Sequence, residues 1–414
     1  MRTLNHARGL LAPAAAALLV ATLVPSFASC ATTQQDTSPP PEASTLPPSD
    51  TDAGAPLDAS PEASCDAADD ACVSHVITCL EAAWCPVATK VSALYALTSV
   101  WGSSKNDVWA VGSGGTIVHY DGSAWVATPP TGLKNTFHAV TGSSATDVWV
   151  LSATDVMLHS NGFTGGAAGG TATWTQTSAA RNQYETTPLF AAWGTPAGDL
   201  RVGGRSFTLI APNGDFGSGN QLSKSTLADG GVAWVGTSGQ ATVNGIWGSS
   251  PDDLWVVADN SATVSWQLGL TLHGTRAGDA GDGDADGLAW QSVDSQSPVA
   301  LTAVWGSSAN DVWAVGDKGT IRHLANDKTH WDPSASKTTA DLHGLWGSAA
   351  NDIWAVGDAG TILHYDGTSW SPSLAALPLG KRPHLYGVWG SSRDDVWIVG
   401  DGIALHSTGT GGAK

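Results

Sequence analysis

Tryptophan recurs along this chain at a spacing that few folds can use. In the segment from Leu342 to Trp370, LHGLWGSAANDIWAVGDAGTILHYDGTSW, short apolar runs are separated by Gly, Ser, Asn and Asp, and a tryptophan closes the unit. Runs of this length, rich in Val, Ile, Trp and Tyr and bounded by turn residues, read as strands joined by tight hairpins. None is long enough for a helix. Anchored on its first tryptophan, the unit recurs at Trp101, Thr141, Trp193, Trp247, Trp305, Trp346 and Trp389. Eight residues further on stand Trp109, Trp149, Arg201, Trp255, Trp313, Trp354 and Trp397. Seven copies, 40 to 58 residues apart, with four strands to a copy, are the signature of propeller blades.

The closing tryptophan sharpens the expectation. Copies one to six end in Trp125, Trp174, Trp234, Trp290, Trp331 and Trp370, whereas copy seven runs out at Leu405-His406-Ser407 before a fourth strand. Trp84 stands 17 residues before Trp101, within the interval that separates each closing tryptophan from the next copy. It therefore supplies the missing strand from the N-terminal side, leaving no unpaired edge at the seam. The fold expected is all-β, a closed seven-bladed propeller over residues 81–408. Of the 20 tryptophans, only Trp266 falls off the three repeat positions. This periodicity assigns them to packing between blades and not to a sugar-binding platform.

Upstream of the ring the composition changes. Arg2 and Arg8 precede an apolar run from Leu10 to Val24, a secretory leader over 1–29 that is too short for a spanning helix. Its ending, Phe27-Ala28-Ser29-Cys30, resembles a bacterial lipobox, with Phe27 where Leu is usual. That resemblance implies cleavage before Cys30 and diacylglycerol on its thiol. Ala31 in place of Asp implies the outer membrane. The alternative is ordinary leader cleavage with Cys30 left as a free thiol. Residues 30–64, dominated by Pro, Ser, Thr, Ala and Asp, read as a disordered tether. It would span roughly 30–35 Å as a coil and at most roughly 105 Å as polyproline II. The tail 409–414 is expected to be disordered as well.

Cys65, Cys72, Cys79 and Cys85 remain after Cys30. Four cysteines in an exported chain read as two disulfides, with three connectivities open, in a lead-in over 65–80 and the strand that follows. Their spacing is too wide for a zinc knuckle. Because two of them flank Trp84, the bridges are expected to brace the closing strand.

The candidate chemistry is sparse. Each copy carries an Asp in the turn between strands one and two: Asp107, Asp147, Asp199, Asp253, Asp311, Asp352 and Asp395. Recurrence in every copy marks a turn residue and not a catalyst. His119, His159, His323, His364 and His406 recur on the third strand. They read as one hydrogen bond repeated blade by blade in preference to a metal ring, whose ligands must converge within about 2 Å of the ion. Long Gly-rich stretches, Asn161 to Thr173, Asn213 to Ala233 and Gly269 to Ala289, are expected as inserts between strands three and four, all on one side of the ring. They serve either as a contact surface or as tolerated loop growth. Asp282, Asp284 and Asp286 match the first half of a calcium loop, but Val293 stands where the bidentate Glu belongs. A solvated acidic loop is preferred, and no cofactor is expected. No catalytic residue is assigned: Glu185 is the only glutamate after Glu81, and a glycosidase needs a carboxylate pair with separated roles. Removing Arg2 and Arg8 with the leader takes the net charge from −19 to −21. That charge argues against nucleic acid and bare anionic membrane as partners.

The tandem units Trp101 to Gly112 and Trp305 to Gly316, of the form Trp-Gly-Ser-Ser-x-x-Asp-Val-Trp-Ala-Val-Gly, resemble a family of predicted surface lipoproteins of high-GC Gram-negative bacteria. The turns Tyr120 to Trp125 and Tyr365 to Trp370 distantly resemble the Asp-box of sialidase-type propellers. They lack that motif's leading Ser/Thr-x-Asp-x-Gly, so no activity is carried over. The resemblance implies a fold more than a function. The expectation is an exported, lipid-anchored monomer at the outer membrane or cell surface. It would serve as a non-catalytic module that binds a protein or polysaccharide. A glycan hydrolase or lyase is the competing reading; it would need carboxylates that break the repeat clustered at one mouth of the channel.

Overall fold

The computed structural model describes residues 76–407, apart from the short segments 129–130, 153–155, 166–169, 178–187, 211–215, 227–231, 261–267, 279–285 and 326–328. The leader, Cys30, the tether, Cys65, Cys72, Trp266, Asp282, Asp284 and the tail lie outside the described residues. Seven four-stranded antiparallel sheets follow one another around a ring, a closed seven-bladed β-propeller, with no α-helix among the described residues. Blade 1 is typical, with strands Leu97–Ser104, Asp107–Gly112, Ile117–Tyr120 and Trp125–Ala127. First strands line the central channel and fourth strands form the rim. Val108 to Val111 on the second strand are all buried, because a blade has neighbours on both faces and alternation has no solvent side to serve.

The seam is closed as the repeat predicts. The last blade contains Leu385–Ser392, Asp395–Gly400 and Ile403–Ser407. Its outer strand is Trp84–Pro86, paired antiparallel with Trp84 opposite Ser407 and Pro86 opposite Leu405. Trp84 is fully buried, and its indole N–H donates to the Ser373 hydroxyl at 3.1 Å. Cys85, in this three-residue strand, is disulfide-bonded to Cys79. The bridge ties the closing strand to the segment that delivers it.

Two tryptophan contacts join blade to blade. The first-strand tryptophan lies over the glycine of the next blade's Trp-Gly pair: Trp101 over Gly142, Trp247 over Gly306, Trp346 over Gly390 and, across the seam, Trp389 over Gly102. A Cβ on Gly306 would stand 2.6 Å from the Trp247 ring, so the dipeptide is a knob with its own hole. The second-strand tryptophan meets the closing tryptophan of the next blade edge to face. Examples are Trp109 with Trp174 at 5.5 Å, Trp255 with Trp331 at 5.4 Å and Trp397 with Trp125 at 5.1 Å between centroids. This geometry suits the ring quadrupoles. Trp84 occupies the same place against Trp354.

Two inserts are placed differently from the sequence expectation. In blade 3, Phe216–Thr226 is the third strand itself and pairs on both sides. The stretch Asn213 to Ala233 is therefore mostly sheet. Its polar sequence, FGSGNQLSKST, hides a strand whose pairing depends on backbone groups. In blade 4 the third strand is Gly269–Arg276, so the added length falls partly before it and partly after. The insert of blade 2 lies between strands three and four as expected and contains a small hairpin, Phe163–Thr164 with Thr171–Ala172. Phe163 stacks on His119 of blade 1 with centroids 4.0 Å apart.

Candidate functional site at the channel mouth

The recurrent polar residues form scaffold, not site. In six blades the turn Asp takes one hydrogen bond from a Ser hydroxyl four residues earlier and another, at 2.5 to 2.8 Å, from the third-strand His Nε2–H. The same His lies against the second-strand Trp, with centroids 3.8 to 4.5 Å apart. Each histidine thus braces its own blade, and His119 also stacks on Phe163 of blade 2. His273 belongs to the set as well, outside the five that recur at the usual spacing. It pairs opposite Trp255 like the others, but 20 residues after Asp253 where the usual separation is 12. The hydrogen bonds from His159 hold the Asp147 carboxyl well below the ordinary range. Burial would raise the carboxyls of Asp107, Asp311 and Asp352, but the His and Ser donors outweigh it and lower them.

The opposite mouth carries the exceptions. In every blade the register between strands one and two slips at the residue after the buried anchor of strand one, leaving one residue unpaired. Such a bulge re-aims a side chain. The extra residues are Thr98, His138, Phe190, Asn244, Thr302, His343 and Tyr386. All are half-buried around a channel of about 270 Å³. Thr98 and Thr302 donate to carbonyls of the next blade, Phe137 and Leu342, and Asn244 does the same to Leu301. His138 meets Phe190 edge to face at 5.0 Å. The backbone here is repeated, but the side chain it presents changes from blade to blade.

Blades 6 and 7 concentrate charge at this mouth. Asp358, in the turn after strand two of blade 6, accepts from His343 Nε2 at 2.6 Å and from His384 Nδ1 at 2.5 Å through the same oxygen. Burial pushes its carboxyl up, yet the two imidazoles outweigh it and the group is held below its usual range. The Tyr386 hydroxyl donates to Asp401 at 3.2 Å. Burial first, then the negative charges of Asp401 and Asp358, push that phenol up to about 12. Asp317, on the neighbouring turn of blade 5, is raised by burial and by Asp341 and Asp259. Burial lowers His138. At neutral pH the mouth therefore offers an anionic Asp358, a protonated tyrosine and aromatic faces. A groove of about 490 Å³ opens beside Asp401, lined by Val87, Val91, Pro378 and Ile403. Leu94 and Leu379 stand exposed next to it.

Recurrence along the sequence does not point to these residues, because they stand where recurrence stops. The signal was present: the residue after the buried anchor of strand one reads Thr, His, Phe, Asn, Thr, His, Tyr in the seven copies. Of the calcium candidates, Asp286 is committed elsewhere. Its carboxylate accepts from Arg201 at 2.6 Å and from Thr237 at 2.8 Å. No group of three metal-binding side chains occurs among the described residues.

No family model matches the sequence, and no curated protein is similar to it. Solved propellers do resemble the structure. The protein described as YCF48 bound to D1 peptide aligns with a TM-score of 0.54 at 15% identity, over 78% of this chain and 94% of that one. YCF48 from Cyanidioschyzon merolae gives 0.53 at 16%, over 79% and 98%. A streptogramin B lyase gives 0.54 at 14%, over 75% and 92%. Identities this low establish a shared β-propeller fold and nothing finer.

Proposed function

We propose that this propeller is a lipid-anchored, extracytoplasmic binding module that holds an extended protein segment or polysaccharide across the mouth carrying His343, Asp358, Tyr386 and Asp401. One observation carries the reading: the same bulge recurs in all seven blades, yet it presents five different residue types around the channel. A rigid frame with a variable ring is how a fold hosts recognition. The groove beside Asp401 extends the surface beyond a small-molecule cleft, and its apolar rim suits a chain lying across it. The similar fold of a propeller described with a bound peptide is compatible with this use.

The alternative, a glycan-active hydrolase or lyase, gains from Asp358 and Asp401 meeting at one mouth with two histidines. Against it, the His343 and His384 hydrogen bonds hold Asp358 as an anion, so that carboxyl is not poised as the acid of a hydrolytic pair. Glycan and peptide arrays with the mature protein test the proposal, with chromatography of any bound ligand after incubation. Retention of intact ligand supports binding. Cleaved or eliminated product would transfer the site to the enzyme reading.

A further inference from the structure

Blade 3 breaks the repeat at one place on the other face. Its turn Asp199 accepts from the Thr195 hydroxyl at 2.8 Å, as the other blades predict. The next two partners are changed. Arg201 stands where six blades have Trp, and Ser223, opposite it in register, stands where they have His. Arg201 takes over the packing role of the tryptophan, with its guanidinium 5.5 Å from the Trp290 ring centroid. Ser223 does not replace the imidazole; its hydroxyl turns to the Val235 carbonyl. The space that a Trp–His stack fills elsewhere is here a cleft of about 330 Å³, at the lower end of small-molecule sites.

Charge accounting singles out one group in this cleft. Arg201 is paired with Asp286 at 2.6 Å, Arg276 with Asp252 at 2.6 Å and Lys224 with Asp147 at 3.8 Å. Asp199 is the carboxylate lining the cleft that has no cationic partner among the described residues. The six intact blades show what its second oxygen is shaped to receive: a nitrogen donor arriving from the side of strand three. Trp193 and Leu254 line the same cleft and offer apolar surface to the methylene stem of a long side chain.

We propose that this cleft is a second binding site, which takes the cationic head of a lysine or arginine side chain from a partner and seats it on Asp199 in place of the missing histidine. The site is independent of the channel mouth: the Asp turns and the bulged residues lie at opposite ends of each first strand.

The test titrates the full-length, ¹⁵N-labelled protein with butylammonium and with methylguanidinium and follows the amides of Asp199 and Ser223. Saturable shifts confined to blade 3 are expected, with affinity weakened roughly tenfold or more in Asp199→Asn and in Ser223→His. Ser223→His restores the residue that six blades carry, so it keeps the fold even if Asp199→Asn does not. Shifts that stay linear with added cation, comparable shifts at the Asp107 and Asp311 turns, or undiminished binding in Ser223→His would overturn the assignment.

Discussion

Trp84 meets Trp354 edge to face, with ring centroids 4.8 Å apart at 87°. The contact spans 270 residues of sequence and reproduces what Trp174, Trp331 and Trp370 make at other interfaces within the continuous repeat. Ring closure thus uses the same chemistry as the other Trp–Trp joins, the blade 3 to blade 4 join with Arg201 over Trp290 being the exception. Trp84→Ala removes a fully buried indole at the seam and is expected to cost about 3–5 kcal/mol, read from urea unfolding. A loss below about 1 kcal/mol would mean that the ring holds together without this strand.

Reduction of Cys79–Cys85 frees the strand that carries Trp84. Closing so short a loop is worth about 2 kcal/mol on chain-entropy grounds. The melting temperature is therefore expected to fall when reductant is added, and also in Cys79→Ser. An unchanged midpoint in both would contradict a bracing role.

The Trp-Gly knob makes paired predictions. Gly306→Ala drives a methyl into the Trp247 ring at 2.6 Å and is expected to cost about 1–3 kcal/mol. Gly194 faces Thr141 of the neighbouring blade and not a tryptophan, and the nearest atom to its added Cβ is 3.3 Å away. Gly194→Ala is expected to stay within about 1 kcal/mol of the parent. Equal losses at the two positions would show that the tryptophan is not what excludes the methyl group.

Acid should unfold the ring through the Asp–His turns. Asp147 has its carboxyl lowered by His159, with Asp107, Asp311 and Asp352 lowered in the same direction. A carboxyl depressed on folding contributes stability that is fully present above its unfolded value of about 3.9 and is lost as pH falls through the folded value. Urea midpoints measured from pH 6 downward should therefore drop below about pH 4, and more gently in Asp147→Asn. An identical slope in the variant would remove Asp147 from the account.

Tyr386 titrates in the opposite direction. Its phenol, pushed up to about 12 by burial and by Asp401, binds its proton more tightly in the folded state than in the unfolded one. It contributes stability below the ordinary tyrosine value of about 10 that is lost as pH rises towards the folded value. In ultraviolet titration, the component missing from Tyr386→Phe should be the late one, near 12. A missing component near 10 would contradict the environment assigned to this hydroxyl.

What was legible in the sequence is what packing forces to repeat. Trp101, Trp109 and Trp125 recur because most interfaces use the same knob and the same edge-to-face pair, and Trp84 could be matched to the seam by its interval alone. The third strand of blade 3 was illegible because Gly219 and Gln221 contribute through backbone pairing, which leaves no periodic side chain to read. His273 was hidden by added length ahead of its strand. Tyr386 and His343 were hidden for a different reason: a bulge shows as a register slip only once the partner strand is known, and a position that varies between copies looks like noise. Local rules are expected to fail at functional sites, and here the failures mark the mouth.

The most direct measurement compares binding of one array-identified ligand to three proteins: the parent, a His343→Ala/Tyr386→Ala double variant at the mouth, and His159→Ala on the scaffold face. Affinity is expected to fall roughly 100-fold or more in the double variant and to stay within about twofold in His159→Ala. Undiminished binding in the mouth variant, or a loss confined to His159→Ala, would contradict the proposed binding mouth.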